Sequence, residues 1–303
     1  MKKILVTGSS GFIGSHLVKK LREQGHFVEG YDYTYNDQWY DYNVSNGPNE
    51  TSNILNIGPT FLDETDEHFD VIFHLAAYVS ASKSIEYPWI CNLYNIGGTN
   101  NVAQLASDKS RMVFASSAAV YGDQTKWVDG LRQRSGFSEE EVSLLGDLKT
   151  PYAKSKLMGE EIVKDTCSNY ANLRFFNVYG KGQNPAYGAV IQSFIDDYKS
   201  RRASTIFGDG QQTRDFVHVD DVVDALILAG DSTENFTANV GTGVGTTVEK
   251  LCGMISRDHE YIKYEPARGG DPVYSVADNK KLVDMGWSAK VDLKTALDRM
   301  KLC

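Results

Sequence analysis

Three glycines at fixed spacing near the N-terminus constrain this chain more than any other feature. Gly8-x-x-Gly11-x-x-Gly14 lies between a β-branched run, Lys3-Ile4-Leu5-Val6-Thr7, and a stretch from Ser15 to Gln24 with helical apolar spacing at Leu17, Val18 and Leu21. The run predicts a strand, and the stretch a helix closed by Gly25. Glycines at such a junction allow a tight turn and let backbone N–H groups approach a pyrophosphate, while the helix N-terminus adds partial positive charge. Asp32, 18 residues beyond Gly14, closes a second predicted strand, Phe27–Tyr31, where it can accept hydrogen bonds from an adenosine ribose. The same carboxylate repels a 2′-phosphate, and Tyr33–Asn43 contains no Arg or Lys to neutralise one. The expected dinucleotide is therefore NAD rather than NADP.

Further along, strands are expected at Val71–Leu75, Arg111–Ala115 and Asn172–Phe176, with helices over 88–107 and 151–168, the latter opened by Pro151. Alternation of this kind predicts an α/β fold, a Rossmann-type doubly wound parallel sheet. After Asn177 the elements shorten. Phe216–Val219, a helical Asp221–Ala229 and a strand at Phe236–Val240 look like a return to the first sheet. The expected division is an NAD-binding domain of residues 1–176 plus 217–243. A smaller α/β substrate-binding C-terminal domain takes 177–216 plus 244–303.

Composition narrows the function classes. The formal net charge of −9 argues against a generally basic nucleic-acid binder. No apolar run reaches the roughly 18 residues needed to span a membrane, and Ile4-Leu5-Val6 is too short for a signal-peptide core. The four cysteines, Cys91, Cys167, Cys252 and Cys303, form no CxxC and no cluster with His. Neither a zinc site nor a disulfide framework is expected, and free thiols fit a cytoplasmic protein. The segment Tyr31–Tyr42 carries five tyrosines and Trp39, for which the sequence offers no functional account.

A second chemical motif stands at Tyr152-Ala153-Lys154-Ser155-Lys156, which puts Tyr152 and Lys156 one above the other on a helix face. A free phenol, with a pKa near 10, is a poor base at neutral pH. A neighbouring ammonium stabilises the phenolate and brings it towards the working range. Ser116-Ser117 ends the strand at 111–115, at the carboxyl edge where such sheets bind ligands. A hydroxyl there can share a substrate oxygen with the phenol.

These motifs, with His74-Leu75-Ala76-Ala77, Ser116-Ser117-Ala118-Ala119-Val120-Tyr121-Gly122 and Pro151-Tyr152-Ala153-Lys154-Ser155-Lys156, resemble the extended short-chain dehydrogenase/reductase superfamily. Within it the chain is most similar to NAD-dependent nucleotide-sugar epimerases of the UDP-glucose 4-epimerase type. Asn95-Ile96-Gly97-Gly98-Thr99, Arg174-Phe175-Phe176-Asn177-Val178-Tyr179-Gly180, Arg214–Asp221, Asn239–Gly243 and Arg268-Gly269-Gly270-Asp271 extend the resemblance nearly end to end. It implies a 4-epimerase of UDP-glucose and UDP-galactose, with UDP-N-acetylhexosamines as further candidates, working as a homodimer through the helices at 88–107 and 151–168.

The resemblance also implies roles for individual residues. Tyr152 would be the acid/base, Ser117 its hydroxyl partner, and Lys156 both modulator and nicotinamide-ribose ligand. Gly8, Gly11, Phe12, Ile13, Gly14, Asp32, Asn53, Ile54, Leu75, Ala76, Ala77 and Asn95 would line the cofactor. Asn177, Phe207, Arg214, Arg268, Asp271 and Ser275 would bind the substrate: the arginines with Asn177 on the diphosphate, Phe207 on the base, and Ser275 walling the sugar pocket. If the loop at Ser275 is extended, a one-residue shift would put Tyr274 there instead. His218 is expected to be structural.

Two departures from the family pattern stand out. Asn53 replaces the usual aspartate near the adenine, and Ala118-Ala119 replace the Asp-Glu pair of dehydratase relatives. The second departure disfavours water elimination. The alternatives are another nucleotide-sugar enzyme of the same type, a reductase, decarboxylase or dehydratase, and last a non-catalytic dinucleotide-binding scaffold.

Overall fold

The computed structural model describes residues 1–32, 54–55, 57, 68–106, 108–122, 127–128, 131–132, 136–184, 189–256, 262–269 and 271–302. Asn53, Cys303 and the tyrosine-rich segment beyond Asp32 lie outside the described residues.

The first of two compact units holds residues 1–120, 150–174 and 223–238. Its centre is a six-stranded sheet of order β11-β7-β4-β3-β1-β2. Here β1 is Lys3–Thr7, β2 Phe27–Tyr31, β3 Val71–His74, β4 Arg111–Ser117, β7 Tyr170–Phe175 and β11 Phe236–Val240. β1 pairs in parallel with both β2 and β3, and β3 in parallel with β4. Ile4, Leu5, Val6, Ile72, Phe73, Met112, Val113 and Phe114 are all buried, the continuous apolar pattern of strands covered on both faces. Order reverses at β1, so the loops after β1 and β3 leave the sheet side by side.

Helix α1, Phe12–Glu23, starts three residues earlier than its apolar spacing predicts. Gly11 is its N-cap, so Gly14 is already helical. The helix expected over 88–107 is broken into α3 (Pro88–Asn92), a π-helical turn at Leu93–Gly97 and α4 (Gly98–Ala103), preceded by a separate α2 at Ala81–Glu86. The physical reason is Asn95, whose buried amide is gripped from outside the helix, within a segment weakened by Gly97 and Gly98. Helix α5, Pro151–Thr166, has Thr150 as N-cap, its hydroxyl accepting from the Ala153 amide.

The second unit holds 121–149, 175–222 and 239–303. Segments 121–149, 175–176, 217–222 and 239–243, expected with the dinucleotide half, thus cluster with the other unit. Side chains explain it. The Tyr121 hydroxyl donates to Asn239 Oδ1 at 2.5 Å, its ring stacks on Phe137 at 5.0 Å, and the Phe137 amide donates to the Val276 carbonyl at 2.8 Å. Asp221 accepts from the amides of Lys290 and Val291.

Within this unit, β10 (Thr213–His218) pairs in parallel with β8 (Asn177–Tyr179) and with β14 (Tyr274–Ser275), and antiparallel with β12 (Gly245–Thr247). β9 (Ser204–Phe207) pairs in parallel with β13 (Ile262–Glu265). Ile191, Phe194 and Ile195 of α6 (Val190–Lys199) pack with Leu251 and Ile255 of α8 (Val248–Ile255) and Leu297 of α10 (Leu293–Leu302) to make the core.

Candidate active site

The turn after β1 is built as the glycine spacing requires. Gly8 has φ +71°, and a side chain on it would meet the Ala76 amide nitrogen at 2.7 Å. A side chain on Gly14 would stand 2.0 Å from the Gly8 carbonyl oxygen. No other residue type fits either position. The first turn of α1 has no side-chain cap and no acidic residue, so its leading N–H groups remain available to an anion. Asp32, at the end of β2, accepts from the Ser10 amide at 2.7 Å, which ties the acid to the glycine turn. An uncapped helix end, a cradle that only glycine permits and an adjoining carboxylate fit the pyrophosphate and ribose of NAD.

The loop after β3 is held against this turn by an oriented chain of hydrogen bonds. Thr99 Oγ1 donates to the Asn95 carbonyl at 2.5 Å, so it accepts from His74 Nε2, 3.0 Å away. His74 Nδ1 then accepts from Thr7 Oγ1 at 2.7 Å, and Thr7 Oγ1 accepts from the Ala76 amide at 3.3 Å. Burial pushes His74 down to about 3, with the Lys156 charge adding to the shift, so the ring stays neutral. Leu75, Ala76 and Ala77 are half-buried beside the glycine turn.

Asn95 is 2% exposed. Its Oδ1 accepts from the Tyr78 amide at 2.7 Å, and its Nδ2 donates to Ser155 Oγ at 2.9 Å and to the Tyr78 carbonyl. Its side chain is thus engaged within the protein. Ile54 is buried against Gly98, and its carbonyl accepts from Asn101. Phe12 and Ile13 are half-buried at the start of α1.

Ser117, Tyr152 and Lys156 come together in the first unit. Burial holds the Tyr152 phenol above its ordinary pKa, against the lowering effect of the nearby Ser117 hydroxyl. Lys156, 4% exposed, donates from Nζ to the Ala115 carbonyl at 2.8 Å. Burial pushes it down to about 8.

The backbone around Tyr152 is held from both sides. Its amide donates to Ser84 Oγ at 3.1 Å, and its carbonyl accepts from Ser155 Oγ at 2.9 Å. Ser84, Ser155 and the Glu160–Arg174 pair are contributors that sequence reasoning missed. Ser155 and Arg174 stand inside recognised motifs that assign them no role, while Ser84 and Glu160 lie outside every motif.

The candidate substrate residues lie in the second unit. Arg214 on β10 donates from Nη2 to Asp271 Oδ1 at 2.9 Å and from Nη1 to the Thr213 carbonyl. The Arg268 guanidinium stacks over the Phe207 ring, 3.7 Å from its centroid. Asn177 on β8 is in register with Phe216. Ser275, buried, is in register with Arg214, and Tyr274 turns its ring edge to Phe137 at 6.2 Å. His218 accepts from the Asp220 amide through Nδ1 and meets the Tyr179 ring edge-on at 5.2 Å.

Among the described residues no cluster of His, Cys, Asp and Glu could hold a metal. Cys91, Cys167 and Cys252 are free and buried. No helix among the described residues is long and apolar enough to cross a membrane.

A Rossmann-like sheet with a glycine turn and a Ser–Tyr–Lys group defines an NAD-dependent enzyme of the short-chain dehydrogenase type. A family model described as the NAD dependent epimerase/dehydratase family matches residues 4–241, and the chain belongs to that family. The chain is 32% identical over 323 residues to a UDP-glucose 4-epimerase of Mycolicibacterium smegmatis, covering 96% of this chain and 95% of that protein. It is 31% identical over 284 residues to a UDP-N-acetyl-α-D-glucosaminuronate decarboxylase of Bacillus cytotoxicus, covering 88% and 82%. The Thermotoga maritima UDP-glucose 4-epimerase solved with UDP-glucose superposes with a TM-score of 0.84 at 30% identity, covering 99% of this chain and 97% of that one. The expected family, fold class and cofactor are all borne out.

Proposed function

We propose that the protein interconverts UDP-glucose and UDP-galactose by inverting C4 through a 4-keto sugar. The observation that carries this reading is the Tyr152 phenol beside Ser117, with Lys156 Nζ 6.0 Å from the phenol ring centroid and held on a neutral acceptor. Tyr152 as phenolate takes the proton of the 4-hydroxyl, and Ser117 holds the same oxygen. The positive charge of Lys156 offsets the burial that opposes phenolate formation. Bound NAD supplies the hydride acceptor and donor at C4. The keto sugar then turns about its phosphate linkage so that the hydride would return to the opposite face of C4, and Tyr152 gives the proton back to the 4-oxygen.

In this reading the amides at the start of α1, with Gly8, Gly11, Phe12, Ile13 and Gly14, hold the NAD pyrophosphate. Asp32 takes the adenosine ribose, Leu75, Ala76, Ala77, Ile54 and Asn95 line the cofactor, and Lys156 takes the nicotinamide ribose. Asn177, Arg214 and Arg268 hold the substrate diphosphate, where guanidinium forks suit phosphate oxygens. Phe207 stacks on the base, and Asp271 is the partner that Arg214 gives up when the substrate binds. Ser275 walls the sugar pocket. Its register opposite Arg214 and the turn of Tyr274 towards Phe137 support that choice over Tyr274.

On this assignment the enzyme also accepts UDP-N-acetylhexosamines. Ser275→Tyr should cut that activity tenfold or more by overpacking while sparing the plain hexoses. A parent enzyme with no N-acetyl activity would move the wall to Tyr274.

Exposed Ile85, Trp89 and Leu93 on α2, α3 and the π-helical turn, with Met158 on α5, support a homodimer formed by these helices. Three buried free thiols are consistent with a cytoplasmic setting.

The test is to incubate the purified protein with UDP-galactose and follow the sugar by NMR. Conversion to UDP-glucose without added reductant supports the proposal. Release of CO₂ from a UDP-hexuronate in place of epimerisation would favour the decarboxylase reading, to which the Bacillus relative lends its weight.

A further inference from the structure

Glu160 is a fully buried carboxylate that the proposed chemistry does not use. It lies four residues beyond Lys156 on α5, so the two side chains share a helix face. In a water-poor interior an ammonium and a carboxylate so placed attract strongly, and a direct pair would commit the lysine's charge to Glu160.

That pair does not form. Arg174, reaching across from β7, takes Glu160 with both prongs, Nε to Oε1 at 2.9 Å and Nη2 to Oε2 at 2.8 Å. Ser116, the neighbour of Ser117, donates to Oε1 at 2.5 Å. Lys156 Nζ turns instead to the uncharged Ala115 carbonyl and stands 5.0 Å from the Phe114 ring centroid. Besides Tyr152 and Glu160 on its own helix, Lys156 faces Cys91 of α3 and His74 of β3, while Arg174 lies behind Glu160. His74 is neutral, and burial raises the Cys91 thiol, so neither carries charge near neutral pH.

We propose that Arg174 sequesters Glu160 so that the Lys156 charge stays available to the Tyr152 phenolate, which makes Arg174 and Glu160 positioning residues for the acid–base step. The proposal rests on Tyr152 and Lys156 being the acid–base pair described above. It turns on charge rather than on packing, and charge has a sign. The native pair is neutral. Arg174→Met leaves one negative charge beside Lys156, Glu160→Gln leaves one positive charge, and the double variant is neutral again.

The experiment follows tyrosinate absorbance with rising pH in each holoenzyme, as the difference from the same protein carrying Tyr152→Phe. The acid limb of kcat with UDP-galactose is recorded alongside. The Tyr152 midpoint should rise by about one pH unit in Arg174→Met, fall by a similar amount in Glu160→Gln, and return to the parent value in the double variant. Shifts in the same direction for both single variants, no shift in either, or a double variant that fails to return would overturn the proposal and leave the pair purely structural. If Arg174→Met fails to fold with Glu160 stranded, Glu160→Gln and the double variant still supply the fall and its cancellation. Full activity in Tyr152→Phe would instead refute the catalytic reading, and the absorbance titration is judged independently of it.

Discussion

The two units hold the groups assigned to their proposed roles differently. In the first, the groups assigned to chemistry are held by neutral partners. Lys156 donates to a backbone carbonyl, the chain through Thr7, His74 and Thr99 consists of uncharged hydrogen bonds, and α1 begins without a cap. In the second, the cations assigned to the substrate are already engaged, Arg214 with Asp271 and Arg268 on the Phe207 ring. A frame of neutral bonds suits a cofactor that stays in place through each turnover. Cations that must exchange partners suit a ligand that arrives and leaves.

The largest expected effect tests the first half of that contrast. Tyr152→Phe removes the proton acceptor but none of the bonds that hold the helix backbone. Epimerisation should fall by ~10²–10⁴-fold with bound NAD retained. Loss of NAD on this substitution would mean that the phenol is part of the frame. For the second unit, Arg214→Ala should weaken UDP binding in calorimetry by about 10–100-fold, the worth of a charge-assisted bond to a bound anion, with NAD content unchanged. If UDP bound as before while NAD was lost, the division between the units would be wrong.

Asp271→Asn asks whether Arg214 truly exchanges partners. Asp271 is about half exposed, so the pair it makes is worth roughly 0–1 kcal/mol. Freeing the guanidinium should tighten UDP binding by up to about fivefold. Weaker binding would show that Asp271 mainly orients Arg214.

The smallest effect concerns stability. His74 is held at about 3 in the folded state against 6.5 unfolded, so between these values the unfolded chain binds the extra proton. Its contribution is complete above pH 6.5 and is lost as pH falls towards 3, at up to about 1.4 kcal/mol per pH unit. Urea melts of the parent between pH 6.5 and 5 should therefore lose stability faster than those of His74→Asn. Equal slopes would show that the buried ring is not the source.

Much of the first unit was legible because its determinants are local. The glycine spacing, Asp32 at a strand end and Tyr152 four residues before Lys156 each express geometry within one or two adjacent elements. The break at Leu93–Gly97 was not legible, because Asn95 is gripped by Tyr78 and Ser155, neither of which any periodicity connects to it. Glu160 and Arg174 were hidden for the same reason: they are fourteen residues apart in sequence, on different elements, and meet only once helix α5 lies on the sheet. In the second unit the motifs named the arginines but not their engagement, since Asp271 and Phe207 reach them through tertiary contact. That segment 121–149 clusters with the second unit carries no local sign, since it turns on Tyr121 bonding to Asn239.

The most direct test of the central claim uses UDP-galactose carrying deuterium at C4, incubated with the purified protein and read by NMR and mass spectrometry. UDP-glucose should form with the deuterium still on C4 and no net consumption of NAD or NADH, because the same hydride leaves and returns within one site. UDP-glucose that has lost its label to solvent, or no epimer at all from a protein that holds NAD, would contradict it.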